Sequence, residues 1–139
     1  MTTIAQQLNW DFTNGVLEIK DNKGNPIYFE KSNGFWEKRK YDSNNNCTYY
    51  ENSEGYWSKF EYDSSGNEIY WKASYGYWRK HQYDSNNNCT YWEDSNGCWG
   101  KYEYDSNSNC TYYESSDGYW EKSEYDSNGN VIYNEDSNG

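Results

Sequence analysis

The chain has 139 residues and a net charge of −11, from 23 acidic against 12 basic side chains. Leu, Ile, Val and Phe together number only 13, which with this charge would ordinarily mean disorder, but 18 Tyr and 8 Trp supply the apolar area that a packed surface needs. The balance argues against direct binding to nucleic acid, which needs cations to displace phosphate counterions, and no apolar run approaches a membrane span.

The opening stretch, MTTIAQQLNW, lacks the charged start and long apolar middle of a secretory leader, so a cytoplasmic location is expected. Trp10 and Phe12 are expected in a strand that begins the sheet. Val16–Asn33 is an incomplete unit, with Asp21–Asn25 as its turn, Ile27–Glu30 as its second strand and a shortened first strand. Full units of 21 residues then follow, each opened by a glycine at 34, 55, 76, 97 and 118, and the phase recurs at Gly139. Counted from each glycine, position 3 is Trp36, Trp57, Trp78, Trp99 or Trp120, and position 5 is always Lys. Positions 8 and 9 are Tyr-Asp, and position 16 is Tyr in every unit. A single repeat domain over 1–139 is expected: a cap and degenerate unit at 1–33, then five units over 34–138.

Each unit reads as a hairpin. Its first strand has the form GYWEKxEY and its second CTYYE or VIYNE, both rich in Tyr, Trp, Thr and Ile. Asp, Ser, Asn and Gly form the turns, where positive φ and side chain to backbone bonds are needed. The expected fold is all-β: an antiparallel meander of about a dozen strands, curved or coiled. Loop lengths suggest that position 8 lies opposite 14 and that 17 lies opposite the next tryptophan. One face would then pair Trp57 with Tyr50, Trp78 with Trp71, Trp99 with Trp92 and Trp36 with Phe29, and set Lys59 on Trp71 and Lys80 on Trp92. The other would carry the tyrosines of positions 2, 8 and 16 with the acids of 18 and often 4. So much aromatic surface implies coiling or a homodimer, with Val131–Glu135 as an edge open to another chain.

Cys47, Cys89 and Cys110 share position 14, so equivalent thiols stand about 9.6 Å apart, two strand spacings, where a disulfide needs Cα atoms within about 7 Å. Cys98 would face Glu93. Reduced cysteines are expected, and no metal or other cofactor. Asn46, Asn88 and Asn109 begin Asn-Cys-Thr triplets that read as turn and strand starts, and the Asp-Ser-Asn loops lack calcium-ligand spacing. His81 is a lone histidine at a variable position, and no base is placed to activate a nucleophile, so no catalytic residue is expected. The acids remain. Asp42, Asp63, Asp84, Asp105 and Asp126 recur at one sheet edge, and Glu51, Glu93, Glu114 and Glu135 on one face. They serve solubility or form an array that presents negative charge to a basic groove, as a nucleic-acid mimic in the channel of another protein would.

The segment GYWEKSEYDSNGNVIYNEDSNG and its relatives resemble the YD repeat of bacterial polymorphic toxins and teneurins, which implies hairpins that spiral into a shell. Five units are too few to close one, and the Trp-plus-Lys pattern departs from that family. The GYWEKxEYDSNGN wording is also similar to short phage and prophage repeat proteins. That implies an inhibitor of a host nucleic-acid-handling system, of anti-CRISPR or anti-restriction type, with a basic nucleic-acid-binding host protein as partner. A third resemblance, to choline- and glucan-binding repeats through the Trp, Tyr and Asp-Ser-Asn-Gly pattern, implies a carbohydrate-binding module; the aromatic ladder of Trp36, Trp57, Trp78, Trp99 and Trp120 is expected to serve either the sheet itself or binding. A purely structural, self-assembling repeat is the remaining expectation.

Overall fold

The computed structural model describes residues 1–139. It shows a meander of twelve antiparallel strands in chain order. These are β1 (Leu17–Lys20), β2 (Pro26–Glu30), β3 (Trp36–Tyr41), β4 (Cys47–Asn52), β5 (Trp57–Tyr62), β6 (Glu68–Ala73), β7 (Trp78–Tyr83), β8 (Cys89–Asp94), β9 (Trp99–Tyr104), β10 (Cys110–Ser115), β11 (Trp120–Tyr125) and β12 (Val131–Asp136). β1 and β12 each have one neighbour, so the ordering is open. The chain forms two compact units: Met1–Glu61 with Lys72–Tyr75, and Tyr62–Trp71 with Gly76–Gly139.

The strand expected through Trp10 and Phe12 is not formed. The chain instead makes a short helix, α1 (Ile4–Leu8), and a 3-10 turn at Phe12–Asn14. Thr3 and Gln6 close a reciprocal capping box, and Asn9 ends the helix in the left-handed conformation at φ 51°. Ala5 packs on Leu17 and Tyr28, ringed by Ile4, Phe12, Ile19 and Trp36. Glu30, only 2% exposed, ties the helix to the sheet. Its Oε2 accepts from the Ala5 N–H at 2.9 Å and the Tyr28 hydroxyl at 2.7 Å. Burial pushes the Glu30 carboxyl up, but bonds from Thr3, Tyr28 and Ala5 outweigh it and hold the group below the usual carboxylate range. Burial, then the bond to Glu30, pushes the Tyr28 phenol up to about 12.

Both turns of the repeat are three-residue loops closed by a left-handed residue. In the first, Asp42 N–H donates to Asn46 O at 2.9 Å and Asn45, at φ 66°, donates back to Asp42 O at 3.2 Å. In the second, Asn52 N–H donates to Tyr56 O at 2.9 Å and Gly55, at φ 84°, donates to Asn52 O at 3.1 Å.

The expected register is correct at its first pair and wrong beyond it. Tyr41 faces Cys47, as position 8 should face 14, but Lys40 faces Tyr49 and Thr48 is left over in a bulge. Thr90, Thr111 and Ile132 are skipped likewise. The second turn also holds one residue more than expected, so Glu51 faces Trp57 and Tyr50 faces Ser58. A one-residue slip exchanges the faces of every second strand. The Trp57–Tyr50, Trp99–Trp92 and Trp36–Phe29 pairs therefore do not form. Trp99 faces Glu93, Trp92 faces Gly100, and Trp36 faces Glu30. Trp71 meets Arg79 at 5.6 Å and the edge of Tyr77 at 5.6 Å instead of Trp78 and Lys59. The tyrosines of position 16 and the acids of 18 stand with Trp and Lys, while positions 2, 4, 6, 8 and 17 share the opposite face. Cys98 lies at the turn, where its carbonyl accepts from Asp94 N–H at 2.9 Å, and not across from Glu93.

Candidate functional site

On the Trp–Lys face the register writes a recurring diagonal. In the first unit Ile19, Tyr28, Lys38, Glu51 and Trp57 follow one another across β1 to β5. In the second, Gln82, Tyr91, Lys101, Glu114 and Trp120 do so across β7 to β11. Each lysine lies over the tryptophan two residues before it. Lys38, Lys59, Lys80, Lys101 and Lys122 sit 4.7, 5.5, 5.0, 5.0 and 5.4 Å from the rings of Trp36, Trp57, Trp78, Trp99 and Trp120. Such exposed contacts contribute about 0.5–1 kcal/mol each. The expected seats of Lys59 on Trp71 and Lys80 on Trp92 are thus replaced by contacts within one strand.

The face glutamates are engaged in the same lattice. Glu51, Glu93, Glu114 and Glu135 accept from the hydroxyls of Tyr49, Tyr91, Tyr112 and Tyr133 at 3.1, 3.1, 3.2 and 2.7 Å. Lys38, Lys80 and Lys122 approach Glu51, Glu93 and Glu135 at 3.6, 3.9 and 3.7 Å. Acid and base therefore alternate on this face, and a sugar ring stacking on an indole would have to displace a lysine.

The five aspartates all stand in the first turn. Asp84 is representative: Oδ1 accepts from the N–H groups of Asn86 and Asn88 at 2.8 and 2.9 Å, and Oδ2 from the Asn88 amide at 3.1 Å. Asp42, Asp63, Asp105 and Asp126 repeat this with Asn46, Asn67, Asn109 and Asn130. Bonds from that asparagine lead in holding all five carboxyls below the usual range. Neighbouring turns are also linked: Asn67 donates to Asn87 Oδ1 at 2.8 Å and Asn88 to Ser108 Oγ at 3.0 Å. With Asn46 and Asn88 so employed, the Asn-Cys-Thr triplets are turn and strand starts. The aspartates recur at alternate strands, about 9.6 Å apart. Phosphates advance about 3.4 Å per nucleotide along one DNA strand, so the row is roughly three times sparser.

The opposite face is where the repeats differ. Positions 4, 6 and 17 read Glu37, Arg39, Tyr50 in one repeat, Arg79, His81, Trp92 in another and Gly100, Tyr102, Tyr113 in a third. Gly100 lies under Trp92, and an added Cβ would stand 2.5 Å from the indole Nε1. That indole donates to the Tyr102 hydroxyl at 3.3 Å, and Tyr102 packs on Tyr113 with ring centroids 4.8 Å apart. The Cys47, Cys89 and Cys110 thiols bond the carbonyls of Tyr49, Tyr91 and Tyr112, and burial pushes all three up, away from the reactive thiolate. No three His, Cys, Asp or Glu side chains are grouped to hold a metal ion, and no helix is long and apolar enough to cross a membrane.

His81 lies on this face opposite Trp92. Its Nδ1 and Arg79 Nε are buried without hydrogen-bond partners. Burial, then the Arg79 charge, lowers the His81 pKa, with Glu68 opposing weakly. The fold thus favours neutral His81: its contribution is fully present above the ordinary value of about 6.5 and is lost as pH falls below it. His81→Phe, which copies Phe60 at the same position, should remove the loss of urea stability between about pH 7 and 5. An unchanged slope would remove His81 as its source.

Two structural roles escaped the sequence reading. The Tyr41, Tyr83, Tyr104 and Tyr125 hydroxyls donate to the carbonyls of Pro26, Glu68, Cys89 and Cys110 at 2.7–3.1 Å, across the strand pair. Ser53, Ser95, Ser116 and Ser137 accept from the N–H of Trp36, Trp78, Trp99 and Trp120 and donate their own N–H back to the tryptophan carbonyl. The invariance of Ser at position 20 was the available signal for the second role.

No protein-family model matches the chain, and no curated protein matches it. Among solved structures it is similar to a chain of the TcdB2-TccC3-Cdc42 crystal structure, at 14% identity and a TM-score of 0.66 over 86% of its length. It is similar also to a chain of the TcdB2-TccC3 crystal structure, at 13% identity and a TM-score of 0.63 over 85% of its length. It spans about 7% of each of those chains. The likeness is one of fold: a β-hairpin repeat module.

Proposed function

We propose that this chain is a non-catalytic structural module, a strand-by-strand aromatic sheet that joins other polypeptides as a building element. One observation carries the reading: the polar side chains that recur from repeat to repeat bond to one another. The aspartates hold their turns, the position-8 tyrosines hold strand carbonyls, and the face glutamates hold tyrosines and lysines. A surface kept for a repeating ligand would leave its recurring donors and acceptors free. In the solved structures named above, the region it resembles is a small part of a much longer chain, which accords with a building element.

The test is a scan of the recurring residues. Asp84→Ala, Tyr104→Phe, Glu93→Gln and Ser95→Ala should each lower the unfolding midpoint, while tryptophan fluorescence stays flat against a broad panel of soluble glycans. Substitutions that leave stability untouched, or a saturating glycan response, would overturn the structural reading. A second reading, an acidic edge that engages a basic protein, is favoured by five carboxylates held ionised in one kind of turn. The fivefold Asp→Asn variant separates charge from turn geometry, because Asn keeps the Oδ1 acceptor. Binding to a basic partner that survives this change would end that reading.

A further inference from the structure

Position 6 carries Arg39, Phe60, His81 and Tyr102 in the first four full units, and Ser123 in the fifth. The His81 ring lies 6.1 Å from the ring of Tyr83, and the Tyr102 ring 6.4 Å from that of Tyr104, so each sits beside the position-8 tyrosine of its own strand. Tyr102 is held further by the Tyr113 ring at 4.8 Å and by the Trp92 indole, which donates to its hydroxyl at 3.3 Å. Serine supplies no ring. At Ser123 the sheet face has a hollow of about 200 Å³, lined by Cys110, Tyr112, Tyr113, Glu121, Ser123 and Tyr125. It lies over β10 and β11, which pair with each other and, on their outer sides, with β9 and β12.

One repeat maps onto the other. Tyr125, Cys110 and Tyr113 stand to Ser123 as Tyr104, Cys89 and Trp92 stand to Tyr102, each 21 residues earlier. The hollow therefore has the surroundings of a phenol side chain without the phenol. One wall differs: Glu121 takes the place of Gly100. Its Oε1 accepts from the Asn134 amide at 2.6 Å and the Ser123 hydroxyl at 3.5 Å, and its Oε2 from the Tyr119 hydroxyl at 3.1 Å. A carboxylate offers about four acceptor positions, so one remains for a further donor. We propose that this hollow is a binding site for a small phenolic compound. The ring is seated over Ser123 beside Tyr125, as Tyr102 sits beside Tyr104, and the hydroxyl donates to Glu121. The same carboxylate repels an aromatic acid. The site belongs to a single repeat and is independent of the role of the recurring side chains.

The test uses p-cresol, the tyrosine side chain as a free molecule, titrated into the full chain while iodoacetamide alkylation is followed at each cysteine by mass spectrometry. Saturable slowing is expected at Cys110. Cys47 and Cys89 should be unaffected, because Phe60 and Tyr102 stand at the position that Ser123 holds beside Cys110. Toluene should bind roughly tenfold more weakly, the worth of one hydrogen bond to a charged acceptor, and benzoate should give no protection. Ser123→Tyr should fill the hollow and remove the effect. Tyr102→Ser should open the equivalent space and extend protection to Cys89, and this gain decides the matter if the Ser123→Tyr protein does not fold. The proposal is overturned by slowing without saturation, by equal slowing at all three cysteines, or by toluene or benzoate acting as well as p-cresol. Protection of Cys110 that survives in folded Ser123→Tyr protein, or no protection of Cys89 in Tyr102→Ser, overturns it equally.

Discussion

Gly100→Ala should lower the unfolding midpoint, at a cost of about 1–3 kcal/mol, although glycine in a strand is ordinarily the poorer residue. Two effects of opposite sign compete at this position. Adding a methyl group restricts the unfolded chain and would by itself stabilise the fold by about 0.4–1 kcal/mol. Against that, the new Cβ would stand 2.5 Å from Trp92 Nε1, with Cε2 and Cδ1 at 3.1 and 3.2 Å. The indole is a rigid bicycle held by its bond to Tyr102, so it yields only by moving that ring too. Overpacking therefore outweighs chain entropy. A double-mutant cycle with Trp92→Ala isolates the clash: in that background Gly100→Ala should become neutral or stabilising. A cost that persists without the indole would mean that the glycine is needed for another reason.

Acid should unfold the protein through its turns. Each first-turn aspartate has its pKa lowered in the fold, so the stability it contributes is fully present above the unfolded value of about 3.9 and is lost as pH falls through the lower folded one. Five identical sites act in the same window, and protonating one oxygen costs a turn an acceptor for an N–H or an amide. Urea midpoints measured from about pH 6 to pH 2 should fall steeply at the acid end. The fivefold Asp→Asn variant should start lower and run nearly flat through that range. A parallel fall in the variant would assign acid sensitivity to other carboxyls, with Glu30 beneath α1 the first to test.

The repeat, the hairpins and the strand number were legible because Gly, Trp, Lys and Tyr-Asp recur at one period and the turn residues are unambiguous. Register was not. Thr48 and its equivalents look like ordinary β-formers, and nothing in Cys-Thr-Tyr announces that the threonine is skipped. The second turn has the same three-residue build as the first, so its one-residue difference from the expected count was enough to exchange the faces. That error placed Trp71 against Lys59 and hid the match between Trp92 and Gly100. The helix at Ile4–Leu8 was missed because five residues are too short for a periodic apolar pattern, although Thr3 and Gln6 spell its capping box. Among the site residues, the recurrence of the aspartates was visible but their bonding was not, since an Asp that holds a turn and one that offers charge to a partner read alike.

The single 21-residue period has a consequence for how such a gene can change length. Excising Gly76–Asn96 would bring Gly100 to the place across from Trp71, a pairing of the kind that Trp92 and Gly100 already make. Excising Gly97–Asp117 would instead bring Glu121 to the place across from Trp92, which now needs a residue without a side chain. Unequal recombination can therefore add or remove whole units without disturbing the Trp–Lys face, while the variable face decides which crossovers leave a viable protein.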